Sequence, residues 1–291
     1  MDSVTHTLFG VGIYKAVNKE EMSKKEKYAL LFTSIAASQI PDIDIISQFW
    51  DSSGQYQMWH RGITHSLIMI PVWALLLFLL NFLIFRQKNM RHFYISLIAV
   101  FIHDTSDVLN AWGTGYLEPF ISVRLATGTI SIIDFVFWFI FLLAFVISKL
   151  RNSMKDYSIF RLAWVMVVLH VVIQSAQGYL LYQQYKPGYE QVALSARFIP
   201  WQFTVIAKDK QTVDIITDSI FTQGKLQNRI HSSEDASLDR LFAENPRAKT
   251  LYEWSPFVVI VDDDKKLGIY DPRFYRNGES FLYEFIEKTQ E

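Results

Sequence analysis

The seven residues His60-Arg61-Gly62-Ile63-Thr64-His65-Ser66 stand where a polar, aromatic loop meets the apolar run from Leu67 to Phe85. Two imidazoles, a guanidinium and two hydroxyls at the mouth of such a run need a reason. Imidazole is the commonest protein ligand for transition metals, and polar groups at a membrane boundary mark a site or an anchor. A snorkelling His/Arg cluster that only positions the helix is the plainer alternative. The rest of the chain decides between them.

Hydrophobic residues make up 51% of the 291 and lie mostly before residue 183; the mean hydropathy is +0.14. The formal net charge of −1 gives no electrostatic reason to expect nucleic acid as a partner. Without cysteine there is neither a disulfide partner nor a thiolate metal site. The N-terminus lacks a basic n-region and a small-residue cleavage site, so no removable signal peptide is expected.

Working outward, five apolar stretches read as full membrane spans: Tyr28 to Ser47, Leu67 to Phe85, Phe93 to Leu109, Ile130 to Ser148 and Leu162 to Tyr182. Val4 to Val17 is a short helix of ~21 Å that could make a sixth, with Gly10 and Gly12 for close packing. Lys15, Lys19, Lys24, Lys25 and Lys27, then Arg86, Lys88 and Arg91, then Lys149, Arg151, Lys155 and Arg161 fill alternate loops. The intervening loops carry only Arg124. The alternation follows the positive-inside rule and places everything after Tyr182 outside the cell membrane. The expected fold is mainly α: residues 1–182 form a polytopic transmembrane domain. Residues 183–291 form a small extracytoplasmic α+β domain. In it, Trp201–Lys208 with Thr212–Asp218 and Phe257–Val261 with Leu267–Tyr270 read as hairpins. A short capped helix is expected after Ser237.

This topology brings ionisable residues of separate helices to one side of the membrane. His103 and Asp107, at i and i+4, share a helix face. Asp42 and Asp44 cannot share one, but Pro41 breaks the helix and lets an irregular segment turn both toward a cavity. Buried charges of this kind are costly unless a metal replaces their lost hydration. The candidate ligands are His6, Asp42, Asp44, His60, His65, His103 and Asp107, a mixed N/O set suited to Zn²⁺ first, with Mn²⁺ or Fe²⁺ as alternatives to it and Ca²⁺ disfavoured. The number of candidates allows one or two ions. Asp134 or His6 serves as a further ligand or general base, and Arg124 as the group that stabilises developing negative charge. Asp2 reads as an N-cap, Asp104 as a helix–helix hydrogen-bonding group, and His170, Gln174 and Gln177 as interhelical polar glue. His92 reads as interfacial and His231 as a surface residue.

Pro41-Asp42-Ile43-Asp44, then His60-Arg61-Gly62-Ile63-Thr64-His65-Ser66, then His103-x-x-x-Asp107 resemble the signature of the YdjM-like membrane-bound metal-dependent hydrolases. His6 in its Thr-His context, Gly113-Thr114, Pro119 and Arg124 fit the same pattern, and the polar C-terminal extension is similar to the YfhP-type members. The likeness covers roughly residues 1 to 148. Ile45 stands where some members carry a further His. The resemblance implies a metal-dependent hydrolase in a bacterial or archaeal membrane, with its substrate undefined.

Together these observations lead to the expectation of a hydrolase acting at the outer membrane face. Its substrate would be an ester, of phosphoester type first, on a membrane lipid or lipid-linked molecule. A non-catalytic metal-binding structural or regulatory membrane protein is the alternative. A metal-ion transporter is a weaker one, because the inner halves of the spans are largely apolar. The oligomeric state is open.

Overall fold

The computed structural model describes residues 1–150, 155–276 and 278–288. The chain divides into two compact units: Met1–Asp44, Arg61–Ala126 and Ile130–Ser175 form one, and Ile45–His60, Thr127–Thr129 and Ala176–Glu291 the other.

The first unit is helical. Helix α1 (Ser3–Ala16) starts at Asp2, whose carboxylate accepts from the Val4 and Thr5 amides; this is the capping role expected of Asp2. Helix α2 (Lys24–Ala37) opens on a capping box of Ser23 and Glu26. A 3-10 segment, Ile40–Phe49, follows. The short α3 (Tyr56–Trp59) belongs to the second unit and precedes a 3-10 turn at Ile63–His65. Then come α4 (Met69–Phe85), α5 (Arg91–Val108), α6 (Phe135–Leu150) and α7 (Asp156–Tyr185), which from Ala176 on belongs to the second unit. Arg151, one of the basic residues used for orientation, lies outside the described residues.

The expectation of five or six full spans is overturned. Among the described residues one helix, Asp156–Gly188, is long and apolar enough to cross a membrane, and up to three spans exist if each bent helix pair counts as one. The stretch expected from Tyr28 to Ser47 is two helical pieces bent by 54°, and Tyr56–His65 meets α4 at 75°. Helices α1, α2, α4, α5 and α6 have 14, 14, 17, 18 and 16 residues. At 1.5 Å per residue that is about 21–27 Å, short of the roughly 30 Å hydrocarbon core. Hydropathy sums registered apolar content across breaks that interrupt the helices, and α5 carries Arg91, His92, His103, Asp104 and Asp107 besides.

Two apolar clusters hold this unit. Phe9, Phe137, Phe141 and Phe160 join α1, α6 and α7; Leu30, Leu77, Ala99 and Val100 join α2, α4 and α5. Gly10 lets α1 and α2 touch: a Cβ there would lie 2.8 Å from the Ile35 Cα and the Ser34 carbonyl oxygen. Buried polar groups stitch the second cluster. Asn81 Nδ2 donates to the Ala29 carbonyl at 3.0 Å and to Thr33 Oγ1 at 2.6 Å, and Thr33 Oγ1 meets His92 Nδ1 at 3.1 Å. His92 is therefore buried between helices.

The second unit is β-rich, a correction to the expected small α+β domain. Strands β1 (Gln191–Ala196), β2 (Phe203–Asp209), β3 (Thr212–Ser219) and β4 (Thr222–His231) form an antiparallel meander in chain order. After α8 (Asp239–Glu244) and α9 (Pro246–Trp254), β5 (Val259–Asp262), β6 (Lys266–Tyr270) and β9 (Tyr283–Glu287) make a second sheet, and β7 (Tyr275–Arg276) with β8 (Glu279–Ser280) a short ribbon. Both expected hairpins form, with Ile206 opposite Ile215 in one and Ile260 opposite Ile269 in the other. Ile206, Val213, Phe257, Val259 and Tyr270 pack into one core between the sheets. The segment Ile45–His60 is held within this unit: Gln55 Nε2 donates to Thr250 Oγ1 at 3.0 Å, and Thr250 Oγ1 donates to the Ser53 carbonyl at 3.3 Å.

Candidate metal centre

Four residues of the helical unit converge: Asp42 from the 3-10 segment, His65 from the turn before α4, and His103 and Asp107 from α5. One ligand atom from each lies within 4.8 Å of all the others. His65 Nε2 is 3.1 Å from His103 Nε2, 3.3 Å from Asp42 Oδ1 and 3.5 Å from Asp107 Oδ2. His103 Nε2 is 3.7 Å from Asp42 Oδ1 and 3.8 Å from Asp107 Oδ2. His65, His103 and Asp107 are buried, and Asp42 is 16% exposed at its side chain.

The tautomers follow from the far side of each ring. His103 Nδ1 lies 2.8 Å from the Ser38 carbonyl, an acceptor only, so Nδ1 carries the proton. His65 Nδ1 faces Thr64 Oγ1 at 3.0 Å and Asp44 Oδ2 at 3.4 Å. Thr64 Oγ1 gives its own proton to Asp44 at 2.5 Å, so Nδ1 of His65 donates as well. Both Nε2 atoms then present lone pairs to each other and to two carboxylates. Only a cation relieves this, either a proton on one ring or a metal ion shared by all four donors. Tetrahedral ligands at zinc-type bond lengths of about 2.0–2.1 Å stand roughly 3.3 Å apart, which the separations between these donors bracket. The His/Asp cluster could thus bind a metal ion, and its donors fit one.

Asp44 lies beyond the His65 ring. Its Oδ2 accepts from the Arg61 amide at 3.0 Å as well as from Thr64, and this fixes the ring. Arg61 received no role from sequence reasoning, yet it is buried and sits at φ 57°. Its Nε is 2.9 Å from Asp107 Oδ2, its Nη1 donates to Asn110 Oδ1 at 3.1 Å and its Nη2 to the Met1 carbonyl at 3.0 Å. The Met1 amino group also pairs with Asp107. The signal that could have found Arg61 was its place between two imidazoles beside a glycine.

His6 stacks on His103 with ring centroids 3.7 Å apart and its Nε2 lies 3.4 Å from Asp107 Oδ1. Neither of its ring nitrogens makes a hydrogen bond among the described residues. Asp104 is fully buried, and neither carboxylate oxygen makes one either; the hydrogen bond between helices expected of it is not formed. Asp134 is elsewhere engaged. It caps α6 through the Val136 amide at 2.8 Å and pairs with His170 Nε2 at 3.0 Å, the tie between helices expected of His170. Arg124 donates to the Gly113 carbonyl at 3.2 Å. His60 ends the segment assigned to the second unit, stacked on Tyr56 at 5.0 Å. His231 is exposed on β4.

Comparison with known proteins places these residues in context. The uncharacterized protein YfhP of Bacillus subtilis (strain 168) is 29% identical over 142 residues, 47% of this chain and 43% of that protein, so the chain matches under half the length of the curated relative. No solved structure matches. A sequence profile described as YdjM inner membrane protein matches residues 1–181, the whole stretch that carries the Asp42, His65, His103 and Asp107 cluster, and the chain belongs to the YdjM inner membrane protein family.

Proposed function

We propose that this protein is a membrane-bound metal-dependent hydrolase of phosphoesters on lipid or lipid-linked substrates. The observation that carries the proposal is the N₂O₂ donor set, with two imidazoles whose lone pairs are fixed inward. Asp42, His65, His103 and Asp107 would hold the ion. A divalent cation so held supplies Lewis acidity, which makes water a competent nucleophile near neutral pH. His6, stacked on His103 with no hydrogen bond of its own among the described residues, takes up the proton. Arg61 keeps Asp107 oriented. Arg124 balances charge on the substrate. The outer membrane face is proposed from α7: Lys149, Lys155 and Arg161 cluster toward one end of the span and Lys186 lies at the other, which by the positive-inside rule supports a C-terminal unit outside.

A second reading is a structural ion that ties the 3-10 segment, the His65 turn and α5 together. The near-complete burial of three of the four donors favours it. His6→Gln separates the two. Purified protein in mixed micelles would be assayed for release of phosphate from phosphatidic acid and of nitrophenol from bis-p-nitrophenyl phosphate. The hydrolase reading expects the parent to turn over and His6→Gln to keep its metal while losing at least 100-fold in rate. No metal-dependent turnover in a metal-loaded parent contradicts catalysis and leaves the structural ion.

A further inference from the structure

The four-stranded meander ends, on one side, in two adjacent hairpin tips. Residues 197–202 join β1 to β2, and residues 220–221 join β3 to β4. The tips meet through Trp201 and Phe221, with ring centroids 6.1 Å apart. They expose an unusual set of side chains: Phe198 at 46%, Ile199 at 57%, Trp201 at 48%, Ile220 at 42% and Phe221 at 68%. Five large apolar residues, three of them aromatic, on two neighbouring turns are more than the scattered surface hydrophobics of an ordinary domain.

A cationic pocket opens beside them. A cavity of about 420 Å³ is lined by Arg197, Arg273 and Arg276 with Thr217, Gln227 and Asn228 among its polar groups, and by no Asp or Glu among the described residues. Arg273 is neutralised by Asp271 at 2.6 Å. Arg197 donates to Thr217 Oγ1 at 2.7 Å, and the Arg276 guanidinium lies 5.5 Å from the centre of the Phe198 ring. Arg197 and Arg276 thus put positive charge at the rim, next to the apolar tips. The volume falls in the range of small-ligand sites, and guanidinium pairs suit phosphate.

The tips also stand at a definite height along the span. Ala196 and Phe203, which bracket the first tip, pack on Leu181 of α7, and a Cβ at Gly178 would lie 3.3 Å from the Phe203 ring. The candidate span runs from Asp156 to Gly188. Leu181 is therefore roughly 38 Å along the helix from Asp156, where a bilayer of about 40–45 Å in total has its far headgroups. Aromatic side chains with neighbouring arginines are the chemistry of that zone.

We infer that this end of the meander is a docking surface for the bilayer interface: the Phe198, Ile199, Trp201, Ile220 and Phe221 tips seat at the boundary between headgroups and acyl chains, and the Arg197–Arg276 pocket takes the phosphate of a phospholipid headgroup. The surface fixes the C-terminal unit against the lipid in which α7 is embedded, whatever reaction the metal centre performs.

The absence of cysteine makes the test direct. Single-cysteine variants Ile199→Cys and Phe221→Cys, with Gln211→Cys at the opposite end of the sheet as control, are spin-labelled in the full chain and placed in phosphatidylglycerol–phosphatidylcholine nanodiscs. Electron paramagnetic resonance then compares collisions with oxygen and with a polar nickel chelate. Labels at residues 199 and 221 should favour oxygen, and the label at 211 the nickel chelate. Arg197→Gln with Arg276→Gln in the labelled background should raise nickel accessibility at 221 at least threefold. Tip labels as open to nickel as residue 211 overturn the docking surface, and immersed tips that ignore the arginine changes overturn the phosphate pocket. Protection from both reagents that grows with protein per disc points to a second copy and overturns both.

Discussion

His65 and His103 meet Nε2 to Nε2 at 3.1 Å, while the Nδ1 of each ring is turned to an oxygen outside the cluster. The backbone carbonyl of Ser38 does this for one ring and the Thr64–Asp44 pair for the other. Groups that fix a ligand's tautomer set metal affinity without touching the metal. Asp44→Asn and Thr64→Val should therefore leave the protein folded and weaken metal binding about 10–100-fold. Competition against a chromophoric chelator measures it. Affinity equal to the parent in both variants contradicts the assigned tautomers.

The contact between α1 and α2 tolerates no side chain at residue 10. Gly10→Ala puts a Cβ against backbone atoms of Ser34 and Ile35, and backbone yields less readily than a side chain. Overpacking of this kind costs about 1–3 kcal/mol. Thermal unfolding in detergent should show a lowered midpoint, and because α1 carries His6 the ring stack on His103 should loosen with it. An unchanged midpoint means the helices separate more easily than their packing suggests.

In the second unit Asp271 and Arg273 form a buried pair, with Ser255 Oγ donating to Asp271 at 2.7 Å and the guanidinium 4.9 Å from the centre of the Trp254 ring. Asp271→Ala strands the cation and should cost about 3–5 kcal/mol. Adding Arg273→Met should recover most of that, since the stranded charge is the main penalty. A denaturant series on the two variants checks it; equal losses in both would sink the assignment.

Asp214 gives the same unit a pH dependence. Arg229 donates to both its oxygens at 2.7 and 2.9 Å, and Tyr189 to Oδ2 at 2.9 Å. The Arg229 hydrogen bonds hold its carboxyl below the usual range. The folded pKa lies under the unfolded one, so the stabilisation is complete above about pH 4 and is lost as pH falls through the folded value. Calorimetry should show the parent and Asp214→Asn converging at acid pH, with the parent more stable at neutrality. Parallel curves throughout contradict this.

Parts of the site were legible in the sequence and parts were not, for physical reasons. The i, i+4 spacing of His103 and Asp107 survives any tertiary arrangement, and the Pro41 break was readable, so Asp42, His65, His103 and Asp107 could be named, though only within a wider set that also held His6, Asp44 and His60. Two carboxylates at i, i+2 in an irregular segment look alike in sequence. Only the structure puts Asp42 among the inward donors and Asp44 behind the His65 ring. The span count failed because apolar composition does not reveal a bend of 54° or 75°. Strand β4 escaped notice because nearly all of it is exposed, which removes the alternation that marks a half-buried strand.

Asp42, His65, His103 and Asp107 are proposed to hold a divalent metal between them. Elemental analysis of detergent-purified protein, beside His65→Ala and Asp107→Ala, tests it most directly. At least one equivalent of Zn, Mn or Fe in the parent, lost in both variants while they stay monodisperse, is the expected result. A parent that holds no stoichiometric metal after reconstitution would contradict it, and would leave a proton shared between His65 and His103 as the cation of this cluster.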